Sequence, residues 1–234
     1  MASALGGPVD GVLADEVVLE ADGVVHAPEH LSHEEASTLP CAAVTAWNGL
    51  VERGGLKAGD TILTLGTGGV SIFALQIGVM MGARVIVTSK SDEKLARARE
   101  IGAWETINYE TTPDWEKAAV ELTGGRGVDH VVEIGGAGTL QKSMEAIRIG
   151  GNIAQIGVLT QGEVNPLPLT GKSIRLNGIY VGSREMFEHL NAAISANGLR
   201  PVIDRTFDFE EAQAAYRCME EAGHFGKIVI RVST

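Results

Sequence analysis

Residues 61–71, TILTLGTGGVS, constrain the fold more than any other stretch of the chain. Thr61, Ile62, Leu63, Thr64 and Leu65 make a short β-branched and apolar run, with the continuous hydrophobicity of a parallel strand covered on both faces. Gly66, Gly68 and Gly69 follow at once, and Phe73, Ala74, Leu75, Ile77, Val79 and Met80 continue as an apolar helix. Glycines at a strand-to-helix junction allow a tight turn and let backbone N–H groups approach a pyrophosphate, while the helix points its partial positive end at the same anion. Ser71 occupies the sixth position of G-x-G-x-x-G, where the third glycine serves helix-to-strand packing, so a small serine leaves the anion side intact. The same pattern also occurs as plain punctuation between a strand and a helix, so alone it marks a βα unit and a candidate nucleotide site.

The rest of the chain repeats this alternation. Strands are expected at 84–88 (ARVIVT), 105–108 (WETINY), 128–134 (VDHVVEI), 152–158 (NIAQIGV) and 174–181 (IRLNGIYV, bounded by Ile174 and Val181). Helices fall between them: one begins after the cap Ser91, and others cover 113–123 and 139–147. The spacing predicts an α/β fold, a doubly wound, six-stranded parallel sheet of the Rossmann type. Before it, 1–37 read as a turn, a short strand in VLADEVVLE and a loop; Ser32 and Glu35 form a capping box that starts a helix. Residues 34–58 hold two helical pieces interrupted at Pro40, with Cys41 as a small buried hydrophobe. After it, 183–234 give a helix, the segment RPVIDRTFDF, a second helix and a last strand, KIVIRV.

Composition removes several classes of function. The net charge of −11 opposes binding to nucleic acid or to an anionic membrane surface and suits a cytoplasmic enzyme. Cys41 and Cys218 are far apart and form no CxxC pair, so neither a disulfide framework nor a cysteine-rich zinc lobe is indicated. His26, His30 and His33 are close in sequence, but Pro28 breaks the helical register a metal site would need, and they read as solvated loop residues. No charge occurs between Asp60 and Arg84, yet the GTGG break makes that stretch a strand and a sheet-covering helix rather than a membrane span. The N-terminus shows no basic region followed by an apolar core, so no signal peptide is expected.

An NAD-binding sheet normally carries Asp or Glu about 20 residues after the glycine motif, where it accepts the ribose hydroxyls. Here that position is Thr88-Ser89-Lys90. A carboxylate would repel a 2′-phosphate, whereas a hydroxyl and an ammonium would bind it, so NADP is expected over NAD. The lack of an acid also speaks against a methyltransferase, whose cofactor ribose would want one there. Gly135, Gly157 and Val158 end the fourth and fifth strands, where ligands gather above the carboxyl edge of such a sheet.

Taken together, GGPVDGVLADEVVL, LPCAAVTAWNGL, LKAGDTILTLGTGGVSIFALQIG, INYE, GVDHVVEIGG and GHFGKIVIRV resemble the medium-chain dehydrogenases/reductases, a family of zinc-type alcohol dehydrogenases and zinc-free quinone oxidoreductases. The resemblance covers essentially the whole chain. It implies a dinucleotide-binding domain at 38–182 between two parts of a GroES-like barrel, 1–37 and 183–234, with most of the N-terminal barrel absent. It implies an oxidoreductase that transfers a hydride between nicotinamide and a carbonyl, alcohol, enone or quinone, or else a catalytically incomplete NADPH-binding module. Thr67, Gly68, Gly69 and Val70 would then lie at the pyrophosphate with Gly66, Thr45 near the nicotinamide, and Lys94 and Tyr109 beside the phosphate that Ser89 and Lys90 suggest. Cys41 matches one family zinc ligand, but a catalytic zinc needs three protein ligands and the expected partners are not in this sequence, so no metal is expected. No His, Lys or Tyr combines a family position with a suitable neighbour, so no proton donor is named. The sixth strand, 174–181, is expected to pair with its copy in a homodimer.

Overall fold

A computed structural model describes residues 4–232. In chain order the main elements are α1 (His33–Ser37), α2 (Val44–Trp47), β1 (Thr61–Leu65), α3 (Gly69–Met80), β2 (Arg84–Ser89), α4 (Asp92–Glu100), β3 (Glu105–Asn108), α5 (Trp115–Leu122) and β4 (Val128–Glu133). They continue through α6 (Ala137–Ala146), β5 (Ile147–Gln155), α7 (Leu167–Gly171), β6 (Arg175–Gly178), α8 (Arg184–Asn197), β7 (Ile203–Asp208), α9 (Ala212–Glu220) and β8 (Lys227–Arg231). Six strands pair in the order β3-β2-β1-β4-β5-β6, every neighbour parallel. The order reverses between β1 and β4, the switch point at which ligands bind in sheets of this kind.

Alternate residues of each strand feed two separate cores, which is why the central strands are apolar without interruption. Ile62, Val85, Val87 and Val132 pack with α2, α3, α4 and α8 on one face, while Leu63, Ile86, Val131 and Ile153 pack with α5 and α6 on the other. Gly78 of α3 lets that helix lie directly on the sheet: a Cβ there would sit 2.6 Å from Val85 Cγ2 and 2.7 Å from Ile62 Cδ1. Ser91 caps α4 by accepting from Lys94 N, and Ser32 with Glu35 closes the capping box of α1.

Three sequence expectations are corrected. The stretch VLADEVVLE forms no strand; Val18 is fully exposed, and no described strand offers it a hydrogen-bonding edge. The sixth strand is shorter than 174–181: its pairing with β5 runs only from Arg175 to Gly178, and Val181 (φ 53°) adopts left-handed backbone that a strand cannot include. Cys41 is exposed rather than buried: the helical run begins at Leu39, with Pro40 in its first turn, and the buried face falls to Leu39, Ala42 and Ala43. The C-terminal segment forms its own two-stranded parallel sheet, β7 with β8, with α9 against it.

Candidate functional site

The turn after β1 is held from both sides. Gly66 takes φ 74°, a left-handed conformation suited to glycine, and its N–H donates to Thr88 Oγ1 (3.3 Å) at the end of β2. Ser71, in place of the third glycine, is fully buried and donates from Oγ to the Leu65 carbonyl at 2.6 Å, tying the first turn of α3 to the end of its strand. The C-terminal segment completes the support: Gly226 N donates to Thr67 O (2.9 Å), and a Cβ on Gly69 would meet Lys227 Cδ at 2.7 Å and Ala42 Cβ at 3.2 Å. Gly68, by contrast, faces open space, with nothing within 4 Å of a Cβ built on it. No side chain caps α3, so the N–H groups of its first turn are left for an anion.

At the end of β2 the polar groups are arranged without a carboxylate. Ser89 is buried and its Oγ accepts from Ser91 N (3.2 Å). Asp92, the first acid after it, is turned aside to accept from Asn108 Nδ2 at 2.7 Å. Lys90 is exposed, and Tyr109, whose N–H donates to Ser89 O (3.1 Å), leaves 39% of its surface open beside it. Lys94 reaches from α4 to the Ala222 carbonyl, Nζ to O 3.0 Å. Partial burial lowers its pKa, opposed by Asp204. Burial, reinforced by Glu110, raises that of the Tyr109 phenol.

The fifth strand runs Ile147–Gln155 rather than the expected 152–158, so Gly135 and Gly157 each lie two residues beyond the last residue of β4 and β5. Gly157 N donates to Glu133 O (3.1 Å), and Val158 beyond it is 84% exposed. Thr45 lies one turn after Cys41 and donates to its carbonyl at 2.6 Å, so its hydroxyl is already engaged. The structure thus gathers Gly66, Thr67, Gly68, Gly69, Val70, Ser89, Lys90, Lys94 and Tyr109 around the ends of β1 to β3, and Gly135, Gly157 and Val158 at the ends of β4 and β5. Thr45 is buried in the helix whose start abuts the glycine turn. Glu133 was not singled out by sequence reasoning, although a carboxylate after DHVV and before a glycine pair was a visible signal.

Comparison with known proteins places this site in a family. The model described as "Zinc-binding dehydrogenase" matches residues 69–196, more than half of the chain. The chain belongs to the zinc-binding dehydrogenase family. A zinc-type alcohol dehydrogenase-like protein of Schizosaccharomyces pombe is 44% identical over 238 residues, covering 98% of this chain and 69% of its own length. An alcohol dehydrogenase-like crystal structure from Sinorhizobium meliloti superposes with a TM-score of 0.92 at 47% identity, covering 97% of this chain and 67% of that one. A solved NAD-dependent alcohol dehydrogenase gives 0.89 at 35% identity, covering 95% and 66%. The chain therefore spans about two thirds of these relatives, and it is a medium-chain dehydrogenase/reductase, an NAD(P)-dependent oxidoreductase with a nicotinamide cofactor.

The donor set for a catalytic zinc is a different matter. Among the described residues no three His, Cys, Asp or Glu side chains are placed to hold a metal ion, and Cys41 stands exposed without such partners. His30 is instead bound through Nε2 to the Leu199 carbonyl at 3.0 Å. No helix among the described residues is long and apolar enough to cross a membrane.

Proposed function

We propose that the chain binds NADP(H) across the carboxyl ends of β1, β2, β4 and β5, in the service of hydride transfer between nicotinamide C4 and a carbonyl, alcohol, enone or quinone. The observation that carries the choice of NADP is the end of β2: Ser89, Lys90 and Lys94 stand where an NAD site would have an acid, and the nearest acid, Asp92, is bound to Asn108. The cofactor supplies the hydride chemistry; the chain binds it, orients it and excludes water. The backbone of Gly66, Thr67, Gly68, Gly69 and Val70 takes the pyrophosphate; Ser89, Lys90, Lys94 and Tyr109 surround the 2′-phosphate; Gly135, Gly157, Val158 and Thr45 serve the nicotinamide half. Two solved relatives support a nicotinamide cofactor, one mycobacterial and complexed with NADPH, the other a carboxylase/reductase complexed with NADP and 2-octenoyl-CoA.

On this reading 38–182 form the dinucleotide-binding domain, and 1–37 and 183–234 belong to the catalytic domain. A second copy of the chain pairs at β6. One observation favours a second reading, an NADPH-binding unit without turnover of its own: the Thr45 hydroxyl donates to Cys41 O, and the residues placed with it at the nicotinamide half, Gly135, Gly157 and Val158, carry no titratable side chain. Titration of the chain with NADPH and NADH, followed by nicotinamide fluorescence and by turnover with carbonyl and quinone substrates, separates these. Tighter NADPH binding with turnover supports the first reading and tighter binding without turnover the second. Preference for NADH defeats the cofactor assignment.

A further inference from the structure

Glu133, the last residue of β4, is fully buried, and among the described residues it makes no ion pair. Its carboxylate is met by donors alone. Oε1 accepts from Gly135 N (2.8 Å), Gly136 N (3.2 Å) and Thr139 Oγ1 (2.5 Å), and Oε2 accepts from Ser143 Oγ. Two N–H groups and two hydroxyls thus converge on one carboxyl. The backbone of the same residue works on the neighbouring strand: Glu133 O accepts from Ile156 N (2.9 Å) and Gly157 N (3.1 Å).

These contacts join the loop after β4 to the loop after β5. Thr160 completes the junction, donating from N (3.0 Å) and Oγ1 (2.7 Å) to Gly135 O and accepting from Gly138 N at 2.7 Å. The backbones touch so closely that a Cβ on Gly157 would fall 1.6 Å from Ile134 O. Burying a carboxylate costs several kcal/mol of desolvation, and an apolar residue at a buried strand end would serve stability as well or better. What the carboxylate supplies, and an apolar residue cannot, is one conformation for the glycine loop after β4, which Thr160 in turn ties to the loop after β5.

We propose that Glu133 is a positioning residue that sets the loops carrying Gly135 and Gly157 for the nicotinamide half of the cofactor. This rests on the cofactor placement above: with the adenosine phosphate at β2, the loops beyond β4 and β5 lie on the other side of the switch point and face the other half. The test compares NADPH with adenosine 2′,5′-bisphosphate, which carries the adenosine half alone, on the wild-type chain and on Glu133→Gln. The amide keeps the shape but offers one acceptor oxygen in place of two. Wild type is expected to bind both probes; in Glu133→Gln, NADPH weakens about tenfold, the bisphosphate stays within about twofold, and the emission of bound NADPH moves toward that of the free cofactor. Equal weakening of both probes would mean a general structural role and overturn the proposal, as would wild-type NADPH binding in the variant. Should Glu133→Gln not fold, Thr139→Val removes one donor and is expected to weaken NADPH about threefold with the bisphosphate unchanged; unchanged NADPH affinity there overturns the proposal. Failure of wild type to bind either probe overturns the cofactor reading and this proposal with it.

Discussion

Lys94 Nζ lies 3.0 Å from the carbonyl oxygen of Ala222, joining the first turn of α4 to the turn between α9 and β8. Ala222 holds φ 53°, an uncommon backbone for a residue with a Cβ, and the lysine donates to it there. A long, flexible side chain is thereby held in one place at the mouth of the site, where an ammonium with two remaining donors meets a phosphate with less entropy to lose. Lys94→Ala is expected to weaken NADPH by on the order of 1.5–3 kcal/mol, the worth of a hydrogen bond to a charged group, and to leave NADH nearly unchanged. Fluorescence titration with both cofactors checks it, and equal losses for the two would refute a role at the 2′-phosphate.

Gly68 allows binding to be separated from folding. Its φ of −77° is open to any residue, and a Cβ there meets nothing within 4 Å. Gly68→Ala should unfold at the temperature of wild type, within about 0.5 kcal/mol of its stability. The added methyl stands where the pyrophosphate would approach, so NADPH and NADH are both expected to weaken, by about tenfold or more. A variant that binds both normally would show that the turn is punctuation only.

Much of this was legible in the sequence for a physical reason. β1 begins and ends where the pattern places it because it has a strand on each side and is buried along its whole length, and β3, at the edge of the sheet, keeps its expected bounds through its pairing with β2. Ser91 and Ser32 were legible because capping is local, decided within three residues. VLADEVVLE misled because strand character depends on a neighbouring edge, which a β-branched run does not itself provide. Cys41 misled because exposure turned on a single residue of helical phase after Pro40. Glu133 is visible in the sequence as a carboxylate before a glycine pair, but its role is not, because its partners are two backbone N–H groups and two hydroxyls, none of which announces itself as a partner for a charge.

The edge of the sheet opposite the site carries an ion cluster around one buried carboxylate. Asp129, almost wholly buried, accepts from Arg126 (2.8 and 2.6 Å), Arg148 Nε (2.5 Å) and Thr61 N (2.8 Å). Burial pushes its pKa up, but the hydrogen bonds from Arg126, Arg148 and Thr61 outweigh it and hold the carboxyl well below the usual carboxylate range. A lowered folded pKa means that this stability is complete above the unfolded value of about 3.9 and is lost as pH falls through the folded one. Asp129→Asn is expected to cost about 1.5–3 kcal/mol at neutral pH, the worth of hydrogen bonds to a charged group, since the arginines left behind are partly exposed to water. Urea denaturation measures it, and the gap between wild type and variant should narrow only below about pH 4.

His130, next in the strand, imposes a dependence in a different window. It is buried, its Nδ1 has no partner among the described residues, and Nε2 lies 3.1 Å from Asp60 Oδ2. Burial lowers its pKa despite the opposing pull of Asp60. The unfolded chain therefore takes up a proton first, and stability falls as pH drops below about 6.5 toward the folded value. His130→Gln should flatten the slope of unfolding free energy just below about pH 6.5, leaving the carboxylate-driven loss at lower pH in place. A slope there equal to that of wild type would assign the titration elsewhere.

β6 pairs with β5 on one side, and no described strand covers its other edge. Leu176, 38% exposed, and Tyr180, 59% exposed, add apolar surface to that edge. Unpaired N–H and C=O groups beside such surface recruit a further strand, and in a closed two-fold assembly the available strand is the same one from a second copy. The expected state is a homodimer by light scattering at micromolar concentration. Leu176→Asp places a carboxylate at that edge in both copies, where like charges brought together and stripped of water oppose association. It is expected to give a monomer with its melting temperature intact at high dilution, since Leu176 contributes little to either core. A wild-type chain that is already monomeric would show that four paired residues and two exposed side chains are too little to hold a second copy.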